Sequence, residues 1–361
     1  MKLLFTCADK PTISRNRFHQ KVLPQHFTYD DCISKGKSYL SRIPSILLRL
    51  PFKVIGKDVY FVAYMGHFLV PIIRLLSKKP IIYDFYLSLY DVMCHDRKLY
   101  KPNSLLGKFT YWLEKKSLQD ADYIIVDTQK LIDTLSQEYH IDKKKFTRVP
   151  LTINEENVKP LKVERYKDNF TVLYVGSYIP LHGTMIIIEA AKLLQESKED
   201  ISIVMIGKGP DLDKCKTLAK QYGLANIEFK GFMSLEKLNY YYNATDINLG
   251  LFNNGERANS VVLNKTNDSF RVGKPHLTLE TDAMKESFSN NKDIFYVQDI
   301  LPETLAKRIV EIKNNQNLVK EVEENALISY EKKLSNATAT KILEENIFSK
   351  LKDFHTKSYN V

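Results

Sequence analysis

No apolar run in this 361-residue chain approaches the roughly eighteen residues that a membrane-spanning helix needs. The opening residues, Met1-Lys-Leu-Leu-Phe-Thr-Cys7, lack the layout of a secretory signal and read as a first strand. A soluble protein made and kept in the cytoplasm is therefore expected. Cysteine is scarce: Cys7, Cys32, Cys94 and Cys215 show neither a CxxC pair nor a Cys/His metal spacing, which excludes a disulfide scaffold and leaves four reduced thiols. Glycine is missing where a nucleotide loop would follow the first strand. The loop Cys7 to Arg17 carries Arg15, Asn16 and Arg17 instead, so the N-terminal half is not expected to hold a nucleotide.

Acidic residues are few in one half only. Residues 1–165 hold 28 Lys and Arg against 17 Asp and Glu, whereas residues 166–361 hold 25 against 26. The basic N-terminal half suits anionic lipid or an acidic substrate, or marks nothing beyond a lysine-rich composition. Nucleic acid is not expected, because the basic residues lack the aromatic interleaving of a strand-binding platform. Residues 36–57 interleave Lys37, Arg42, Arg49, Lys53 and Lys57 with Leu, Ile and Phe. Such a segment could lie on an anionic membrane surface. Pro44 and Pro51 divide it, however, and an amphipathic helix packed on a sheet would look alike.

The chain length suits two domains of ordinary size. In the first, Asp58 to Tyr64 reads as a buried strand, a helical stretch follows to Ser77, and Ile81 to Asp84 reads as the next strand. This βαβ rhythm implies a parallel sheet with ligands at the carboxyl ends of its strands. His67 follows one strand; Asp84, Ser88, Asp91, His95, Asp96 and Arg97 follow the other and form a candidate site or an ion-paired loop. Residues 104–120 read as an amphipathic helix with the sole tryptophan, Trp112, as a core or interface anchor. Ala121 to Asp127 is a strand, Thr128 caps the next helix, and the polar run 155–168 is expected to link the domains. In the second half, strands Phe170 to Gly176, Ile201 to Ile206, Ile227 to Lys230 and Ala244 to Phe252 each end in glycine or a polar turn, as where a ligand approaches the backbone closely.

The chemistry is expected between Ser260 and Glu286. Asn264-Lys265 opens a short helix, Gly273 closes it, Pro275 prevents its continuation and Leu277 begins a strand. Free backbone N–H groups, the helix dipole and the Lys265 ammonium would together suit a phosphate or diphosphate. Asp268, one turn further in, could accept hydrogen bonds from the vicinal hydroxyls of a ribose. The alternative is an ordinary helix-to-strand connection with a solvated lysine.

Several motifs in this order resemble the GT-B-fold retaining glycosyltransferases of family 4. They are Ala121-Asp-Tyr-Ile-Ile-Val-Asp-Thr128; Val175-Gly176 with His182-Gly183; Ile206-Gly-Lys-Gly-Pro210; Phe229-Lys-Gly-Phe232; and Asn264-Lys265 with Asp268 and Gly273-Lys-Pro275. The resemblance implies two Rossmann-like α/β domains facing across a cleft: an acceptor-binding domain over 1–160, completed by 345–361 crossing back, and a nucleotide-sugar-binding domain over 168–344. A C-terminal helix, about Ser335 to Lys352, would make the crossing. The resemblance further implies transfer of a hexosyl unit, with retention, from a nucleotide sugar such as a UDP- or GDP-hexose to a glycan or lipid-linked acceptor in cell-surface polysaccharide synthesis. The donor is a co-substrate; no cofactor is expected, and no metal, since no Asp-x-Asp-like pair stands where one would be bound.

Carried over residue by residue, the donor would meet Gly176, Ser177, His182, Gly183, Gly207, Lys208, Gly209, Phe232, Met233, Asn264, Lys265 and Asp268. Lys265 and Asp268 are also the catalytic candidates there, with Asp84, Ser88 or Asp91 orienting the sugar or taking the acceptor proton. The sequence departs from the family twice. The arginine and lysine that clamp the donor phosphates fall on Ser177 and His182, and of two glutamates eight residues apart only the second keeps a carboxylate, as Asp268. The loss of the clamp keeps open a non-catalytic partner of another glycosyltransferase; a sugar-nucleotide epimerase is a further alternative. A peripheral place on the inner face of the membrane would follow from the basic N-terminal half.

Overall fold

Short apolar strands separated by helices produce two parallel sheets, as the βαβ rhythm requires. The computed structural model describes residues 1–352 except 35, 37 and 38; Lys37, residues 353–361 and the side chain of Asp96 thus lie outside the described residues. The chain divides into two compact units, one formed by Met1–Thr152 with the chain from Asn336, the other by Ile153–Ser335. No helix among the described residues is long and apolar enough to cross a membrane.

Unit 1 holds β1 (Lys2–Thr6), β2 (Thr28–Cys32), β3 (Val59–Val62), β4 (Ile81–Asp84), β5 (Tyr123–Val126) and β6 (Phe146–Arg148), in the order β2-β1-β3-β4-β5-β6. One sheet face carries Leu4, Tyr60, Val62, Ile81 and Ile124 against helices Tyr39–Val54, Leu69–Leu76 and Leu105–Asp120. The other carries Leu3, Phe5, Val59 and Phe61 against helix Ser14–His26 and the C-terminal segment, whose Ala339, Leu343, Ile347, Phe348 and Leu351 face this core at helical spacing. The expected C-terminal helix is therefore part of unit 1. Trp112 is 54% exposed and anchors no core.

Unit 2 holds β7 (Phe170–Val175), β8 (Ile201–Ile206), β9 (Ile227–Lys230), β10 (Ile247–Leu249), β11 (His276–Leu279) and β12 (Phe295–Val297), in the order β12-β11-β10-β7-β8-β9. The strand order reverses between β7 and β10, and ligands of such sheets bind at the carboxyl ends beside that reversal. The run 155–168 is docked on unit 2. Asn239 and Asn243 accept from the backbone N–H groups of Lys159 and Leu161 at 3.0 and 2.8 Å, Tyr330 donates to Glu155 at 2.6 Å, and Val158 is buried. Its polar composition reflects these side-chain contacts and not a free linker.

Candidate functional site

At the reversal in unit 2, Gly176 follows β7, Gly250 follows β10, and Lys265 of helix Asn264–Arg271 reaches both glycines. Lys265, in the first turn of that helix, is only 7% exposed. Its ammonium donates to the Gly250 carbonyl at 3.2 Å and stands 4.1 Å over the centre of the Tyr174 ring. No carboxylate among the described residues pairs with it, and burial alone pulls its pKa down to about 7. The solvated lysine of the sequence reading is thus replaced by a buried one without a counter-ion. A charge taken from water is costly unless paired.

Gly176 packs against this ammonium. A β-carbon there would stand 2.9 Å from the Lys265 Nζ, 3.0 Å from the Tyr174 hydroxyl and 3.2 Å from His182 Nδ1. The Tyr174 hydroxyl donates to the Ser177 carbonyl at 2.8 Å and lies 2.8 Å from His182 Nδ1. That pairing leaves Nδ1 as the donor to the tyrosine oxygen. Burial, then the Lys265 charge, drives the His182 pKa down to about 2, so this imidazole is neutral. The neighbouring loop ends depend on glycine as well: at φ +145°, Gly207 lies so close to the Gly176 carbonyl that a β-carbon would sit 1.9 Å from its oxygen.

Asp268, one turn beyond Lys265, is half-buried and accepts from the Tyr242 hydroxyl at 3.2 Å. Burial raises its pKa to about 7, against the opposing pull of that hydrogen bond. Asn264 is half-buried at the helix start. Beyond β8 and β9, Lys208 places its ammonium 4.5 Å over the centre of the Phe232 ring, which is 71% exposed, while Gly209 packs against the Tyr178 backbone and Met233 against the core. Ser177 is exposed, and Gly183, at φ +64°, abuts the Phe252 carbonyl.

Two residues here escaped the sequence reading. His276, fully buried, has Thr266 Oγ1 3.1 Å from Nε2 and Ser269 Oγ 3.1 Å from Nδ1, which fixes helix 264–271 to β11. Arg257 lies on the short helix Glu256–Ser260, which packs on the Pro180–His182 turn, and its charge acts on His182. Nothing in the spacing of Arg257 marks it. A surface depression of 660 Å³ also occurs in unit 2, lined by Leu161, Lys162, Glu164, Lys274, Glu323 and others, but it contains none of the expected donor residues.

In unit 1 the expected polar residues divide. Asp84 is 1% exposed, with Arg15 Nε at 2.9 and 2.8 Å from its two oxygens and His19 Nε2 at 3.0 Å. Arg15 and His19 hold its carboxyl well below the usual range against the desolvation that opposes ionisation. Ser88 caps the turn that carries Asp91, accepting from its N–H at 2.9 Å, and donates to Glu114 at 2.7 Å. Glu114 is buried, also accepts from Tyr139 at 3.0 Å, and is pushed up to about 7 by burial. The structure does not bring Asp84 together with Ser88 and Asp91 at one exposed point.

Two six-stranded parallel sheets in these orders, one in each unit, make a GT-B fold. Residues 155–328 match the family model described as glycosyl transferases group 1. The uncharacterized glycosyltransferase MJ1069 of Methanocaldococcus jannaschii is 24% identical over 230 residues, 61% of this chain. The chain spans 57% of the length of that relative. Among solved structures, Anabaena Alr3699/HepE in complex with UDP and glucose superposes with a TM-score of 0.72 at 14% identity, covering 97% of this chain and all of the other. Sucrose-phosphate synthase of Thermosynechococcus elongatus superposes with a TM-score of 0.75 at 12% identity, covering 96% and 98%.

Proposed function

We propose that this chain is a glycosyltransferase that moves a hexosyl unit from a UDP- or GDP-linked donor to a glycan or lipid-linked acceptor, with retention and without a metal. One observation carries this reading: Lys265 is buried without a counter-ion at the strand-order reversal, beside a helix N-terminus, so the pocket is electrostatically incomplete until an anion enters. A donor diphosphate has the required charge. When the glycosidic bond breaks, negative charge grows on the leaving phosphate, and a preorganised ammonium in a dry pocket stabilises that change more than the ground state. Arg257 supplies a second cation from outside the motif positions, in place of the clamp missing at Ser177 and His182. Asp268 holds the ribose hydroxyls. The exposed Phe232 ring stands two strands from β7, ~10 Å across the sheet, and offers a face to the nucleobase.

The family match of residues 155–328 and the UDP and glucose bound by Alr3699/HepE support this donor class. In unit 1, Asp91 and the Ser88–Glu114 pair are the polar groups for the acceptor, while Asp84 stabilises the fold through Arg15. The basic unit 1 suits a peripheral place on the inner face of a membrane, in cell-surface polysaccharide synthesis. The test is turnover of UDP- and GDP-hexoses against glycan and lipid-linked acceptors, with the anomeric configuration of the product read by NMR. Release of the nucleotide with a retained linkage is expected. Tight donor binding with no hydrolysis or transfer across the panel would point to the non-catalytic partner.

A further inference from the structure

Seventeen large apolar side chains are exposed among the described residues, and eleven of them fall between residues 47 and 112. Nine of these sit on three helices that share one face of the unit 1 sheet, and Ile55 and Leu99 lie in the connections beside them. Tyr39–Val54, Leu69–Leu76 and Leu105–Asp120 bury Ile46, Leu50, Ile73 and Leu118 in a single core, and the middle helix touches both others. Their outward sides are apolar too. Leu48 and Phe52 on the first are 75% and 78% exposed, Leu75 on the second 87%, and Leu105 on the third 88%. Phe109 and Trp112 extend the last of these along the helix as a stacked pair, with ring centroids 5.9 Å apart. Spacing of one and two turns places Leu105, Phe109 and Trp112 on one stripe.

Charge decides what such a face can meet. Segments 39–57, 66–83 and 97–113, which carry these side chains, contain eleven Lys and Arg and no Asp or Glu. Four of the eleven, Arg42, Lys53, Lys57 and Arg74, pair with Asp9, Asp30 and Asp122, and an apolar stripe bordered mainly by cations matches the anionic headgroups and acyl boundary of a bilayer. A purely apolar protein groove would offer the other cations no opposite charge. We infer that the outer faces of these three helices form one membrane-docking surface for anionic phospholipid, with Leu105, Phe109 and Trp112 entering the interface. The inference deepens the peripheral-membrane part of the proposed function and is independent of the donor chemistry. It also moves the centre of contact from the 36–57 segment to the helix that begins at Leu105.

Trp112 is the only tryptophan, so its emission reports on this surface alone. The experiment adds vesicles of phosphatidylglycerol and phosphatidylcholine, or of phosphatidylcholine alone, to the full chain. With anionic vesicles, a blue shift of Trp112 and quenching by acyl-chain-brominated lipid are expected, with partitioning at least tenfold stronger than to neutral vesicles and weakened by salt. The variant Leu105→Glu/Phe109→Glu, both positions being exposed, should melt as the parent does, keep its donor-induced thermal shift and lose vesicle binding at least tenfold. Absence of binding to anionic vesicles overturns the inference. So does binding that leaves Trp112 emission unchanged or is insensitive to the double variant, and so does a blue shift that follows protein concentration without lipid, which would assign the face to a second copy. A failure of donor turnover with intact vesicle binding would instead count against the donor reading.

Discussion

Donor binding should take up a proton, and the amount follows from the surroundings of Lys265. With its pKa drawn down to about 7, only about one molecule in ten carries the ammonium at pH 8. A diphosphate oxygen placed ~4 Å away attracts that charge by about 4 kcal/mol at an effective dielectric constant of about 20. This equals about three pKa units and returns the group to near its ordinary value. Binding at pH 8 should therefore absorb ~0.9 proton, whereas at pH 6, where the lysine is already charged, uptake should be close to zero. Asp268, at about 7, is largely ionised at pH 8 and adds at most a small release. The assay is titration calorimetry of a UDP- or GDP-sugar in HEPES and Tris, whose ionisation heats differ, on the parent and on Lys265→Met. Affinity should also fall nearly tenfold per pH unit from 7.5 upward. Saturable binding at pH 8 with no proton uptake, or uptake that survives in Lys265→Met, would refute the placement of the diphosphate at this lysine.

Three other substitutions have expected outcomes. Asp268→Asn should weaken nucleotide binding; because burial raises this carboxyl from 3.8 to about 7, its cost to the free protein grows as pH rises through that window and persists above it, so the variant should gain stability relative to the parent above pH 7 in urea melts. Asp84→Ala should destabilise unit 1 by about 3–5 kcal/mol, since it strands the buried Arg15; the stabilisation from this depressed carboxyl is present above its ordinary pKa and lost as pH falls below it, so the difference from the parent should shrink in acid denaturation. Arg257→Ala should raise the donor KM about tenfold or more through the loss of one charge-assisted contact, with an unchanged melting temperature, and steady-state kinetics will show it.

Much of the fold was legible because most of its strands, the edge strand Ile227–Lys230 included, are apolar runs or half-apolar alternations with glycine or polar ends. Lys2–Thr6, Ile81–Asp84, Ile201–Ile206 and Ile227–Lys230 lie where their patterns place them. The strands Thr28–Cys32, Phe146–Arg148 and Phe295–Val297 left no such mark. Each is an edge strand with one neighbour, two are only three residues long, and Thr-Tyr-Asp-Asp-Cys is too polar to read as buried. The phosphate-site motif was legible at Lys265, but its burial was not: helix 264–271 turns Lys265, Thr266, Asn267 and Ser269 inward, and a polar buried face gives no hydrophobic periodicity. Glu114 was missed for a related reason. It occupies the inward stripe with Gly107, Thr110 and Leu118, where a carboxylate is stable only because Ser88, Tyr139 and the Tyr90 N–H hydrogen-bond to it. Arg257 reaches the site through packing of a five-residue helix, a contact that spacing along the chain does not encode.

The central claim is that Lys265 is a buried cation held for the donor diphosphate, and the thermal response of Lys265→Met tests it most directly. Removing an unpaired buried charge in favour of an apolar side chain of similar length should leave the free protein at least as stable at pH 7. The rise in melting temperature that a bound donor confers on the parent should disappear in the variant. A variant that unfolds on its own would make Lys265 a structural lysine. A donor-induced rise equal to that of the parent would place the diphosphate elsewhere.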